Sequence, residues 1–344
     1  MSEILEKPQV REYFTASWPS NHLRLLALVQ ASWVSQLIYF AVKHDVIERI
    51  NDGYTNLPAL ADRLKIDRTI LRRVIKGLEH LELVVEYKNQ VELTELGELL
   101  VKGKPKNMAY MSLLWGEEFG RSWTKLSDAV MHETTGFEAY YDEKIFQYFA
   151  HEPESAMNFN FAMNSISQLL YPSIVSQLPV SNIKSIIDVG GGRGNLIKLI
   201  AEKYAHLKCS LYELDSVVSE IKVAGEPEKV ELIIGDFFNR VPRADAHIMS
   251  NVLHDWNDDE CIQILKNVRQ AQTGDGYLFL LEMCVEHDKE PILARSTDLN
   301  MLVFTGGRER SLAEFKILLA QCGFKLESLS NVEDMTCLLI AKPI

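Results

Sequence analysis

Ile186-Ile187-Asp188-Val189-Gly190-Gly191-Gly192-Arg193-Gly194-Asn195 joins an apolar run to a helical pattern. The run from Ile183 to Val189 reads as a short buried strand, the glycines as a tight turn, and Leu196 to Tyr204 as a helix. Such a turn lets the backbone approach a ligand and sets the free amides of a helix N-terminus beside it. The glycines alone leave nicotinamide, flavin and other nucleoside cofactors open. Asp188 narrows the choice, because a carboxylate at the end of the first strand opposes a pyrophosphate but suits a cationic amine. That points to S-adenosylmethionine, with hydrogen bonding to the glycine loop as the competing role for Asp188.

Outward from this turn, strands recur at Ser210 to Leu214, Val230 to Ile234, Ala246 to Ser250 and Tyr277 to Glu282, with helical patterns such as Asp258 to Gln270 between them. Strands alternating with helices predict an α/β domain with a parallel sheet covered on both faces, beginning near residues 170 to 182. Glu213 falls about 20 residues past the loop, where an acid accepts hydrogen bonds from ribose hydroxyls. The next strand end supplies Asp236 for an adenine amine and Phe237 for a ring face or backbone amide. His254 follows a further strand at the same edge, and an imidazole there can take a proton from a phenol. It needs an acid on its other nitrogen to set the tautomer, and Glu282 and Glu309 are the candidates. A structural hydrogen-bonding histidine is the alternative; Asp255 reads as a cap or brace for the following helix, and Trp256 as packed. No Gly-x-Ser-x-Gly elbow, Walker loop or His-Glu-x-x-His helix occurs, and the cysteines lack zinc spacing, so no metal is called for.

The whole chain, 344 residues with 48 acids against 36 bases and a formal charge of -12, suits two globular domains whose surface repels a phosphate backbone. Five dispersed cysteines, with no secretory leader read before them, suggest reduced thiols in a cytoplasmic protein. No stretch reads as the roughly 20 apolar residues of a bilayer crossing; Val34 to Val42 reads as a buried or interfacial helix. Apolar positions from His22 to Ile50 cover most of a helix circumference, which suits a dimer contact or an internal core helix. Leu57 to Leu64, Asp67 to Leu78, Leu83 to Tyr87 and Gln90 to Leu93 follow a winged-helix order, with Asp67 as a cap. Arg68, Arg72, Arg73 and Lys76 could meet phosphates, but a dimerisation or lid scaffold suits the acidic chain better. Residues 101 to 180 are rich in aromatic and methionine side chains, enough for a pocket with flat walls in which Trp115, Trp123, Asn160, Met163 and Asn164 are candidates.

Taken together, Asp188 to Gly194, Gly235-Asp236-Phe237-Phe238 with Val241-Pro242-Arg243-Ala244-Asp245, Leu253-His254-Asp255-Trp256 and Gly306-Gly307-Arg308-Glu309-Arg310-Ser311 resemble the plant-type small-molecule O-methyltransferase family and its bacterial natural-product branch. The resemblance covers nearly the whole chain, and Phe159 to Ser165 is similar to the family segment that closes over cofactor and substrate, Met163 lining the acceptor pocket. It implies a mixed architecture: a winged-helix-like, mainly helical dimerisation domain over 1–100, a helical linker and acceptor-pocket region over 101–178, and a Rossmann-like catalytic domain over 179–344. S-adenosylmethionine would be held by Asp188, Gly190, Gly192, Glu213, Asp236, Phe237 and Ser250, with His254 as general base between Glu282 and Glu309. The implied partners are a small aromatic hydroxylated substrate and a second copy of the chain, with neither nucleic acid nor membrane. Three departures stand out: Glu213 where plant members have Asp, Ser250 where they have a lysine near the cofactor, and Asp215 where they have proline. Non-transfer chemistry on the same cofactor is the alternative activity, and a winged-helix regulator a third.

Overall fold

A computed structural model describes residues 19–225, 229–285, 292–332 and 336–344. It divides into two compact units after Gly120, so the expected middle region, 101–178, is shared between them. In the first unit the apolar pattern after His22 forms three helices, α1 (Asn21–Gln30), α2 (Ser32–Lys43) and α3 (Val46–Asn51). Contrary to expectation, Asn21–Lys43 is long and apolar enough to cross a membrane by length and composition. Arg24 and Lys43 are its only charged residues, and the interrupting Ser and Gln side chains are too few to offset the leucines. Within this stretch α2 buries Ala41 and Val42 in the unit's core, while Leu25 and Val29 of α1 are 62% and 74% exposed.

Helices α4 (Leu57–Leu64) and α5 (Arg68–His80) follow, then an antiparallel hairpin of β1 (Val84–Tyr87) and β2 (Gln90–Leu93). Asp67 caps α5 as expected, accepting from the amides of Thr69 and Ile70. Leu60, Leu71, Ile75 and Leu78 pack with Ile47, Val84 and Val91 into one core. Three of the four basic residues expected on α5 are engaged within the unit: Arg68 with Asp62, Arg72 with Asn89, and Lys76 with Glu79 and Glu86. Short helices α6 (Glu95–Glu98) and α7 (Ala109–Gly116) complete it, and α8 (Glu118–Trp123) contains the point of division.

The second unit starts with α9 (Leu126–Met131), α10 (Gly136–Tyr141), α11 (Ile145–His151) and the 25-residue α12 (Pro153–Gln177). Strands and helices then alternate: β3 (Ser185–Val189), α13 (Asn195–Lys203), β4 (Lys208–Glu213), α14 (Asp215–Ala224), β5 (Val230–Ile234), β6 (Ala244–Ser250), α15 (Asp258–Ala271), β7 (Gln272–Glu282), α16 (Ile292–Phe304), α17 (Leu312–Gln321), β8 (Phe324–Val332) and β9 (Thr336–Pro343). The seven-stranded sheet has the order β5-β4-β3-β6-β7-β9-β8. Its first five strands are parallel, as expected, but β9 runs antiparallel to both β7 and β8, so the sheet is mixed. β8 escapes a reading by hydrophobicity because Lys325, Glu327, Ser328 and Ser330 face solvent or a thin cover. Apolar cores lie on the two faces, one under α15 and α17, the other under α12 and α13. Chain direction across the sheet reverses between β3 and β6, the position where α/β sheets open a crevice at their carboxyl edge.

Candidate functional site

β3, β4, β5, β6 and β7 end at Val189, Glu213, Ile234, Ser250 and Glu282, all on the carboxyl edge. After β3 the backbone turns through Gly190 and Gly192 at φ of 70° and 56°. A side chain on Gly191 would begin 2.3 Å from the Asp188 carboxylate, so the loop can settle over Asp188 only without one. Asp188 is fully buried and neither of its oxygens has a hydrogen-bond partner. Burial, reinforced by the charge of Glu213, pushes its carboxyl up to about 7. Glu213 itself accepts from the amides of Gly192 (2.9 Å) and Leu214 (2.7 Å), and burial raises its pKa. The Phe237 ring comes 3.3 Å from the position a Gly190 side chain would take and meets Phe238 and Trp256. Asp236 closes its own turn, accepting from the Phe238 amide and the Asn239 side chain. Ser250 lies 3.1 Å from the phenol oxygen of Tyr171 on α12.

An unpaired buried carboxylate suits a ligand that brings a cation. Bare backbone at Gly192, with no atom within 4 Å of where its side chain would start, suits one that lies against the loop. The glycine edge therefore fits the ammonium and adenosyl parts of S-adenosylmethionine.

Beyond β6, Leu253–Asp255 forms one 3-10 turn that presents His254. His254 Nδ1 lies 3.0 Å from Glu309 Oε1, and Nε2 lies 3.8 Å from Asp255 Oδ1. Glu282 does not bond the imidazole; its Oε1 accepts from the amides of Val252 (3.1 Å) and Leu253 (2.8 Å) and fixes the turn. Arg310, also buried, donates to the carbonyls of Leu253 and Trp256 at 2.8 Å each and to Asp258. The Arg308 amide donates to the His254 carbonyl at 2.9 Å, and the Glu309 amide to Asp298 at 3.0 Å. Burial alone would depress the imidazole, but the charges of Asp255, Glu309 and Glu282 outweigh it and push His254 up to about 10. Burial pushes Asp255 up to about 6 and Glu282 up to about 7, each partly offset by His254.

Asp255 is a member of the cluster that the sequence reading assigned elsewhere. The helix it was expected to cap is capped by Asn257, which forms a reciprocal capping box with Glu260. That Asn-x-x-Glu spacing was the available signal that Asp255 was left for other work. One atom from each of His254, Glu282 and Glu309 falls within 4.8 Å of the others, close enough to share a cation by distance.

An O-methyltransferase domain model matches residues 123–325. The phenazine O-methyltransferase PhzM of Lysobacter antibioticus is 30% identical over 326 residues, 93% of this chain and 96% of that protein. The chain belongs to the O-methyltransferase family. The crystal structure of LaPhzM matches with a TM-score of 0.88 at 30% identity, covering 94% of this chain and all of that one. Human N-acetylserotonin methyltransferase, solved in complex with S-adenosylmethionine, has the same fold, with a TM-score of 0.88 at 24% identity over 95% of this chain and 99% of that one. The chain is thus an S-adenosylmethionine-dependent methyltransferase.

Of the acceptor residues expected in this methyltransferase, Asn160, Met163 and Asn164 share one face of α12. Asn160 also reaches Glu220 on α14 (3.3 Å). Trp123 donates from its indole to Asn300 on α16 (2.9 Å), which ties α8 to the helix preceding Glu309. Trp115 belongs to the first unit, where it stands edge-on to Phe119. Tyr171, Asp255, Asp298, Asn300 and Arg310 are among the polar side chains of this region that the sequence did not assign to the site.

Proposed function

We propose that this methyltransferase acts on a phenolic hydroxyl of a small aromatic specialised metabolite, with His254 Nε2 removing the hydroxyl proton. S-adenosylmethionine, when bound, supplies an activated methyl group that an oxygen nucleophile accepts. Asp188, Gly190, Gly192, Glu213, Asp236, Phe237 and Ser250 are the residues to hold it, and they line the edge described above. The observation that carries the reading is the 3.0 Å contact between His254 Nδ1 and Glu309. A carboxylate there accepts the Nδ1 proton, so in the neutral imidazole, the form that grows as pH rises, the Nε2 lone pair is the one left for a substrate. Glu282 acts one step back, holding the amides of the turn so that the imidazole cannot swing.

The electrostatics support the same role. A phenol ordinarily titrates at about 10, and His254 in its ring of acids stands near the same value, so proton transfer between them is nearly even. The imidazolium so formed is stabilised by Glu309 and Asp255. These groups therefore serve proton transfer, and the reading needs no metal.

A planar acceptor agrees with the aromatic composition of 101–178 and with relatives that include a phenazine O-methyltransferase and the 3-amino-4-hydroxybenzoate 4-O-methyltransferase of Streptomyces cremeus. Trp123, Asn160, Met163 and Asn164 of the second unit are proposed as its walls. Methyl-deuterated S-adenosylmethionine incubated with the protein and a phenol library should give, by mass spectrometry, a product carrying one labelled methyl group. His254→Ala should lower turnover by about 10² to 10⁴-fold with cofactor affinity retained; equal turnover would overturn the base assignment.

The first 100 residues are proposed as a winged-helix-like dimerisation domain in a cytoplasmic protein. The exposed leucine and valine face of α1 supports a second copy as its partner, and the internal ion pairs of α5 speak against a phosphate-binding role.

A further inference from the structure

Residues 160, 163, 164, 167 and 171 follow one face of α12, so Tyr171 continues the stripe begun by Asn160, Met163 and Asn164. At its end the Tyr171 phenol meets Ser250 at 3.1 Å, with Ser167 one turn earlier also hydrogen-bonding it. Ser250 follows Ile248, which is registered against Asp188, so the serine emerges on the same face of β6 one pleat nearer the carboxyl edge. Burial and the Asp188 charge both hold the proton on Tyr171. Hydroxyl groups and an unpaired carboxylate therefore converge beside the glycine turn. The charges that shift this pair are acids: Asp188 acts on Tyr171, and Glu213 on Asp188.

We propose that Tyr171 and Ser250 seat the carboxylate of the cofactor's amino-acid end while Asp188 takes its ammonium, a zwitterion site whose carboxylate half is made of neutral donors. The proposal rests on the placement of S-adenosylmethionine at the glycine turn. A carboxylate entering beside Asp188 needs donors to offset the repulsion, and hydrogen bonds to a charged acceptor are the strong ones. Hydroxyl protons can re-aim by rotation about one bond, so the Tyr171–Ser250 pair can turn a proton towards the ligand with its heavy atoms in place. Ser250 thus works through a tyrosine from another element rather than standing alone where plant relatives are expected to carry a lysine.

Calorimetric titration of the full chain with S-adenosylmethionine, S-adenosylhomocysteine and decarboxylated S-adenosylmethionine tests this, each variant first shown by thermal melting to be folded. Tyr171→Phe and Ser250→Ala should each weaken the two carboxylate-bearing ligands by about 5- to 20-fold and leave the decarboxylated one within about twofold of wild type. Unchanged binding of S-adenosylmethionine by Tyr171→Phe, or an equal loss for all three ligands, would overturn the proposal, the second outcome marking the phenol as a packing element. Glu213→Ala should weaken all three ligands alike. If it weakens none, the placement at the glycine turn fails and takes the proposal with it. If it weakens all three while Tyr171→Phe lacks selectivity, only the carboxylate seat fails.

Discussion

Asp188, one residue before the end of apolar β3, has both oxygens unpaired, an arrangement that burdens the protein without its cofactor. Its carboxyl stands near 7 when folded and near 3.8 when unfolded, so between those values the folded state binds more protons and stability falls as pH rises. The loss is on the order of 4 kcal/mol across that window and is complete above it. Asp188→Asn should therefore melt higher than wild type at pH 8 in the absence of cofactor, with the gap narrowing towards pH 4. Added S-adenosylmethionine should raise the melting temperature of wild type but scarcely that of the variant; equal stabilisation of both would remove Asp188 from the site. His254 carries a second pH dependence of opposite use. Its raised value keeps it protonated at neutral pH, so kcat/KM should climb with pH towards about 10, and a flat profile from pH 7 to 9.5 would deny that a base of this kind limits the rate. The acid at the end of the first strand was readable from its position after Ile186-Ile187, whereas Tyr171 was not. Periodicity tells which face of a helix a phenol occupies, but the strand it meets is decided by tertiary packing.

Between residue and molecule, the segment from Gly306 to Ser311 acts as a clamp on the 3-10 turn. Gly307 runs so close beneath that turn that a side chain would begin 1.9 Å from the His254 carbonyl oxygen. Gly307→Ala must push the histidine aside, and displacements of about 1 Å cost on the order of 10²-fold in rate. The expected signature is a fall in kcat with cofactor affinity retained, and wild-type turnover would show that the turn can give way. Arg310→Met would leave the Leu253 and Trp256 carbonyls only the weaker Cys261 thiol as a side-chain donor and half-exposed Asp258 with Arg308 alone, destabilising the protein by about 1–3 kcal/mol in urea unfolding. His254 and Glu309 were legible as a histidine after a strand and an acid that could face it, but the bracing roles of Gly307 and Arg310 were not. Nor was the mutual fit, since residues 253–256 and 306–311 lie far apart in sequence and only the sheet brings them together.

At the scale of the whole molecule, the alternation of strands and helices disclosed the parallel half of the sheet, and the antiparallel half stayed hidden behind the polar alternation of β8. Composition did not separate a membrane-compatible stretch from an interface helix in Asn21–Lys43. Light scattering should give about twice the 39.2 kDa chain mass if α1 pairs two copies. Leu25→Asp with Val29→Asp should then halve it; a monomeric wild type would refute the dimer. The sheet also imposes an order in time. β9 is made after β7 and β8 yet lies between them, and among the described residues β8 pairs with no other strand. A ribosome delivering about 5–20 residues per second therefore releases the glycine edge well before the last strands can zip together. Glu309 is delivered later than the glycine edge and is held through its neighbour Arg310, which bridges Cys284 just after β7, so the acid that orients the histidine joins a turn already made.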